Sequence, residues 1–211
     1  MLDIYASEFI ALAIIHILAV IIPGPDFTIT VRQSIVYGRT TGLMTSLGIG
    51  AGISVHVVYT VLGVGLIIAQ SDIAFSIAKI IGAIYLSYLG VNLLRSKKNV
   101  ENLKFDSTKN MPVNNKKAFL IGFMTNALNP KATLFFLAIF TTVVSQNTPL
   151  AIQSLYGVWM CVVNALWFML VSLLFSYQRV RELFLNLGHW FERIMGTLLL
   201  GFAVKLIFTI N

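Results

Sequence analysis

Uncharged or nearly uncharged runs of membrane-spanning length recur along almost the whole of this 211-residue chain. They are Phe9 to Ile22 and onward past a proline break, Leu43 to Gln70, Ile73 to Leu94, Ala118 to Val144, Leu150 to Ser176, and Ile194 to Ile210. A helix rising about 1.5 Å per residue crosses the roughly 30 Å hydrocarbon core of a bilayer in about 20 residues. Six spans leave no room for a soluble domain, so the expected fold is an all-α membrane protein with six transmembrane helices. Composition agrees, with 57% hydrophobic and 11% charged residues against about a quarter charged in a soluble domain.

The net charge of +7 would suit a nucleic-acid partner, but its placement argues for a membrane instead. Twelve of the fifteen Lys and Arg follow the first, third and fifth spans: Arg32 and Arg39, then seven between Arg95 and Lys117, then Arg179, Arg181 and Arg193. Lys79, Lys131 and Lys205 fall within spans. By the positive-inside rule the three basic segments are cytoplasmic and both termini lie outside. Solvation of loops and contact with acidic lipid headgroups account for these charges without any nucleic acid. Asp3 and Glu8, with no basic residue ahead of the apolar run, do not fit a cleaved signal peptide, and the first span is expected to stay. The single cysteine, Cys161, allows neither an intramolecular disulfide nor a two-thiol redox cycle.

The polar stretch Ser96 to Lys117 divides the chain into residues 1–95 and 118–211, three spans each, joined by a basic linker over 96–117. An odd number of spans per half forces opposite orientations, and the halves share three similarities. "KIIGAIYLSYLG" from Lys79 resembles "RIMGTLLLGFAV" from Arg193, placing Gly82 over Gly196. "GISVHVVYTVL" resembles "WMCVVNALWFML", placing His56 over Asn164. "IIPGPDF" resembles "ALNPKAT", placing Pro25 over Pro130 and Asp26 over Lys131. The order is the same in both halves and the offsets stay between 105 and 114 residues. This pattern predicts two inverted three-helix repeats, the arrangement from which many transporters build alternating access.

The third similarity falls on helix breaks in the first and fourth spans. Membrane helices tolerate proline where the freed carbonyls find partners in protein or in a water-filled cavity. A simple kink at each site is one reading; matched breaks in the two halves of a transporter point to a binding site near the midplane. Both sites also read as helix starts, with Gly24 as N-cap before Pro25 and Asn129 as N-cap before Pro130. Glu8 to Pro23 covers about 22 Å of helix, which puts the first break well inside the bilayer. A restarted half-helix offers free N–H groups and the positive end of its dipole, so a carboxylate could dock there. Asp26 suits that dipole and Lys131 opposes it, and a charge near mid-membrane costs about 2.5–3.5 kcal/mol. Lys131 therefore requires an anionic partner, either Asp26 as a structural ion pair or the carboxylate of a zwitterionic substrate whose ammonium faces Asp26.

Other polar residues carry two readings each. Gly48, Gly52 and His56 form a stripe that lets a second helix approach closely, so His56 faces protein, as a hydrogen-bonded packing residue or as a proton relay. His16 lies on the helix face of Pro23 and divides the same way. Asn126 and Asn164 either line a cavity or bond between helices.

Taken together, "PGPDF", Gly38-Arg39 leading to "GIGAG" and His56, "KIIGAIYLSYLG" and "GFMTNALNPKA" resemble the lysine exporter and homoserine/threonine resistance (LysE/RhtB) family over nearly the whole chain. The resemblance implies six helices in a bacterial cytoplasmic membrane and export of amino acids or their derivatives, driven by a proton or ion gradient. It gives Pro23, Gly24, Pro25, Asp26, Asn129, Pro130 and Lys131 the central role. No surplus of buried acidic residues supports a dedicated exporter of basic amino acids, and neutral ones are favoured. Coupling ion, lipid and a second copy of the chain are the expected partners, with no cofactor and no bound metal. Two other classes compete. An intramembrane enzyme lacks an HExxH pair or a GxGD aspartate. A divalent-metal exporter could use His16, His56 and Asp26, but lacks thiolate ligands and paired histidines, and Lys131 would repel a cation.

Overall fold

The computed structural model describes residues 2–70, 72–96, 114–145 and 147–208; most of the basic linker, 97–113, lies outside them. Among the described residues there are eight helices and no strand: α1 Leu2–Ile21, α2 Pro25–Val36, α3 Arg39–Gln70, α4 Asp72–Leu94, α5 Asn115–Ala127, α6 Pro130–Thr142, α7 Leu150–Leu174 and α8 Gln178–Phe208.

Local chemistry sets the ends of the broken helices. Pro23 lacks an N–H and its ring would clash with the carbonyl four residues back, so α1 stops at Ile21. The helix restarts at Pro25, whose fixed φ suits the first helical position, after Gly24 in extended conformation (φ −159°, ψ −164°). The two pieces are bent by 53°. In the second half α5 ends at Ala127 and α6 begins at Pro130; Asn129 caps it, its side chain accepting from Lys131 N at 3.0 Å. Beyond α2, Gly38 takes φ 91°, a left-handed position where a side chain would be strained, and α3 starts immediately after it.

Arg39–Gly63, Ser76–Leu94 and Leu150–Leu174 are each long and apolar enough to cross a membrane, and the bent α1–α2 pair adds a fourth candidate. The protein is therefore an all-helical membrane protein. Ala118 to Val144 is divided at the break before Pro130 into two helices of 13 residues each. One expected run takes another form: Ile194 to Ile210 falls largely on the second half of α8, a 31-residue helix that starts at Gln178. Arg179, Arg181 and Arg193 thus stand on a helix rather than in a loop. Hydropathy marks where lipid could begin, whereas a helix ends only where its hydrogen bonding is interrupted, and no proline occurs between Gln178 and Phe208.

α3 is the central element, packed against α5 and α7, while α4 packs against α6 and α8. Glycine permits the closest of these approaches. A Cβ on Gly48 would lie 2.0 Å from the Phe119 carbonyl oxygen, and one on Gly122 would lie 2.0 Å from that of Thr45. The stripe through Gly48, Gly52 and His56 therefore faces α5, backbone against backbone. Gly82 and Gly196, matched in sequence, meet different neighbours, Ala138 of α6 and Gly90 of α4 respectively. The largest buried cluster includes Leu12, Ile15, Ile53, Phe136, Phe140 and Met160. A second one joins Phe27, Val31, Ile49, Phe168, Val171 and Phe175. Outward faces carry Val58, Leu62, Val158, Leu166 and Leu170, all exposed, as helices bathed in lipid require.

Candidate functional site

The two helix breaks converge on one cavity. His16 of α1, the start of α2 (Gly24, Pro25, Asp26, Phe27), Ile53 of α3, Asn126 at the end of α5, Asn129, the start of α6 (Lys131, Phe135, Phe136) and Asn164 of α7 contribute to its lining. Its volume is about 50 Å³, room for a few water molecules.

Asp26 sits in the first turn of α2, where the helix dipole and unpaired N–H groups favour its negative charge. Its Oδ2 accepts from Asn126 Nδ2 at 2.9 Å and from Asn129 Nδ2 at 3.3 Å. Its Oδ1 is buried with no hydrogen-bond partner. Lys131 occupies the equivalent position of α6. Its backbone carbonyl accepts from Tyr85 Oη at 3.0 Å, and its Nζ lies 3.5 Å from where a Gly24 Cβ would stand. Neither oxygen of Asp26 accepts from Lys131: Oδ2 is taken by the two asparagines and Oδ1 by nothing. A carboxylate and an ammonium therefore face one space from the starts of two half-helices without bonding each other.

Further polar atoms are left over in the same place. Asn126 Oδ1, Asn164 Oδ1 and both ring nitrogens of His16 are buried without partners. Buried polar groups are ordinarily hydrogen-bonded, so a concentration of open ones in a single cavity marks a place where a ligand can complete them.

Of the residues singled out from the sequence, Gly24, Pro25, Asp26, Asn126, Asn129, Lys131 and Asn164 line this cavity. Pro23 and Pro130 shape the breaks without lining it. His56 is turned to other work. Its Nε2 lies 2.8 Å from the Asn126 carbonyl oxygen and its Nδ1 lies 2.8 Å from Tyr59 Oη, while its ring stacks on Phe136 at 5.5 Å. His16 and His56 are thus not ligands of one pocket, and among the described residues no group of three or more His, Cys, Asp or Glu could hold a metal ion. Sequence reasoning left out the wall formed by Ile53, Phe135, Phe136 and Phe168, which apolar periodicity cannot distinguish from ordinary core. His16, which the sequence places on the helix face of Pro23 as a packing residue or proton relay, lines the cavity.

An all-helical membrane protein with a polar cavity between interrupted helices has the construction of a transporter. The model of the LysE type translocator family matches residues 17–209, and the chain belongs to that family. It is a transporter rather than an enzyme. It is 28% identical over 201 residues to the threonine efflux protein of Escherichia coli (strain K12), covering 94% of this chain and 97% of that one. The threonine efflux protein of Salmonella typhimurium is 29% identical with the same coverage. The uncharacterized membrane protein YrhP of Bacillus subtilis (strain 168) is 30% identical over 193 residues, 88% of this chain and 91% of its own. No solved structure matches the chain.

Proposed function

We propose that the protein exports small neutral amino acids, or derivatives that keep the zwitterion, across the cytoplasmic membrane of a bacterium. The observation that carries this reading is the pair of opposite charges, Asp26 and Lys131, held apart at two helix starts in one cavity. The substrate ammonium has three open oxygens to meet, Asp26 Oδ1, Asn126 Oδ1 and Asn164 Oδ1, and three N–H groups to offer them. The carboxylate docks on Lys131 beside Gly24, where the absence of a side chain leaves the ammonium uncovered. Replacing each charge's missing partner by the substrate offsets the cost of holding both inside the membrane. The relatives named as threonine efflux proteins support an amino acid as the cargo.

Transport then follows from two inverted three-helix units, α1–α4 and α5–α8, with the broken pairs α1–α2 and α5–α6 as first and fourth spans and α8 supplying the sixth. Part of the packing supports the relationship: α3–α6 is answered by α7–α2 and α3–α5 by a smaller α7–α1 contact, whereas α2–α3 has no comparable α6–α7 contact among the described residues. Rocking of these units against each other would expose the cavity alternately. The termini lie outside, the linker over 96–117 lies in the cytoplasm, and a proton or ion gradient drives export.

Efflux from cells preloaded with a labelled amino-acid mixture tests the reading, comparing the intact protein with Asp26→Asn and Lys131→Gln, each with and without a protonophore. Selective loss of one or a few neutral amino acids, abolished by either substitution in protein that still reaches the membrane, is the expected result. Transport that survives both substitutions would return the charges to a structural role.

A further inference from the structure

We infer that His16 recognises a hydroxyl on the side chain of the transported amino acid, so that the cavity selects hydroxyl-bearing substrates over apolar ones of the same shape. The inference rests on the amino-acid export reading and deepens it.

His16 is 0% exposed. Three aromatic rings surround it, Phe135 at 6.2 Å, Phe136 at 6.3 Å and Trp159 at 5.6 Å between centroids. Neither ring nitrogen has a hydrogen-bond partner, yet the residue lines the cavity that holds Asp26 and Lys131. A neutral imidazole offers one N–H donor and one acceptor nitrogen. A histidine kept only for packing would bond at least one of them, as His56 bonds both of its own.

The charged ends of a bound amino acid are already provided for. Its ammonium meets oxygens of Asp26, Asn126 and Asn164, and its carboxylate meets Lys131. What remains is the substrate side chain, and the rest of the lining is apolar, aliphatic and aromatic, except for His16. A hydroxyl donates to one imidazole nitrogen or accepts from the other, whereas a methyl group in the same position leaves both unpaired. That asymmetry gives a site much stronger discrimination than shape alone, because the rejected analogue buries polar groups that it cannot satisfy. Threonine and valine differ by this single replacement of hydroxyl by methyl.

Counterflow in proteoliposomes of the purified full chain decides the matter, using labelled threonine with unlabelled threonine, serine, valine or O-methylthreonine as competitors. With the intact protein, threonine should compete at least about tenfold better than valine. His16→Phe should bring that ratio near one by weakening threonine, and His16→Gln, which keeps an amide donor and acceptor, should retain part of the preference. Valine competing as well as threonine in the intact protein would overturn the inference. So would a His16→Phe variant that keeps the intact ratio, including one that loses only its response to a proton gradient. If His16→Phe does not fold, the competitor series on the intact protein and on His16→Gln still decides. Failure of the intact protein to move any amino acid would instead remove the export reading itself.

Discussion

Asn129 bonds Asp26 across the gap between the two broken helices: its Nδ2 donates to Asp26 Oδ2 at 3.3 Å while its own Oδ1 caps α6 at Lys131 N, 3.0 Å away. One amide therefore fixes the start of one half-helix and the carboxylate at the start of the other. Any relative movement of α2 and α6 must stretch or break this bridge, which ties the geometry of the charged pair to the conformation of the protein.

The two jobs of Asn129 can be separated by mutation. Serine caps a helix about as well as asparagine, whereas alanine gives up about 1 kcal/mol. A serine hydroxyl is too short to cap α6 and reach Asp26 together. Asn129→Ser should therefore unfold within a degree or two of the intact protein and export at least about tenfold more slowly, a loss typical of misplaced positioning groups. Asn129→Ala should lose both stability and export. Thermal unfolding in detergent and efflux from loaded cells, run on the same preparations, check the pair.

Much of this site was legible in the sequence, for a physical reason. Proline, glycine and asparagine at a helix break act through the backbone of their own neighbourhood, so "PGPDF" and "ALNPKAT" announce N-caps and first-turn residues directly. Asp26 and Lys131 could be matched because each occupies the same position after its proline. What the sequence could not show is which partner each polar atom takes. Asp26 reads equally well as a partner for Lys131, and the structure gives it to two asparagines. His56 and His16 look alike in the sequence, one bonded at both nitrogens and the other at neither. Such differences depend on the rotation of α1 and α3 relative to α5 and α6, which periodicity alone does not fix. The continuity of α8 is hidden for another reason: hydropathy changes sign along Gln178–Phe208, while a helix continues through polar residues wherever its hydrogen bonding is uninterrupted.

The contact of α3 with α5 predicts a sharp contrast among glycines. A Cβ at Gly48 or Gly122 would stand 2.0 Å from a backbone oxygen of the facing helix, and backbone cannot swing aside as a side chain can. Gly48→Ala and Gly122→Ala should each destabilise the protein by at least about 1–3 kcal/mol, the cost of overpacking a close contact. At Gly63 nothing lies within 4 Å of the added atom, and Gly63→Ala should be neutral or slightly stabilising. Midpoints of equilibrium unfolding in mixed detergent micelles give the comparison.

At the other end of α1, Glu8 holds the turn between α6 and α7. Glu8 as a whole is 8% exposed. It accepts from Ser145 N at 2.6 Å, and Thr148 Oγ1 lies 3.0 Å and 2.8 Å from its two oxygens. Hydrogen bonds to a charged acceptor are worth about 1.5–3 kcal/mol each. Glu8→Ala should therefore destabilise the protein by about 2–3 kcal/mol, more than Thr148→Val does, because it also strands Ser145 N. In the double variant the two effects should fall short of additivity by at least about 0.5 kcal/mol, since the residues share a bond. Full additivity in that cycle would show that the contact contributes nothing measurable.

His56 gives the last prediction, and its hydrogen bonds dictate the argument. A carbonyl oxygen only accepts, so the 2.8 Å contact with the Asn126 carbonyl requires a proton on Nε2. With neutral imidazole Nδ1 is then an acceptor, and Tyr59 Oη donates to it at 2.8 Å. Protonating this ring would put a second N–H against that hydroxyl, which would have to turn over and give up its donated bond. The arrangement favours a neutral histidine that steadies the end of α5, where Asn126 in turn donates to Asp26. On that account His56→Gln, which keeps a donor toward the Asn126 carbonyl, should retain at least about a third of the export rate with an unchanged response to a protonophore. His56→Leu should lose about tenfold by releasing that carbonyl and loosening the Asn126 support of Asp26, the scale of a displaced positioning group. Tyr59→Phe leaves the buried Nδ1 without a donor and should cost about 1–3 kcal/mol of stability, while keeping the Asn126 carbonyl contact and with it most of the export rate. Export that persists in His56→Gln but no longer responds to a protonophore would reverse the assignment and make the ring a proton carrier.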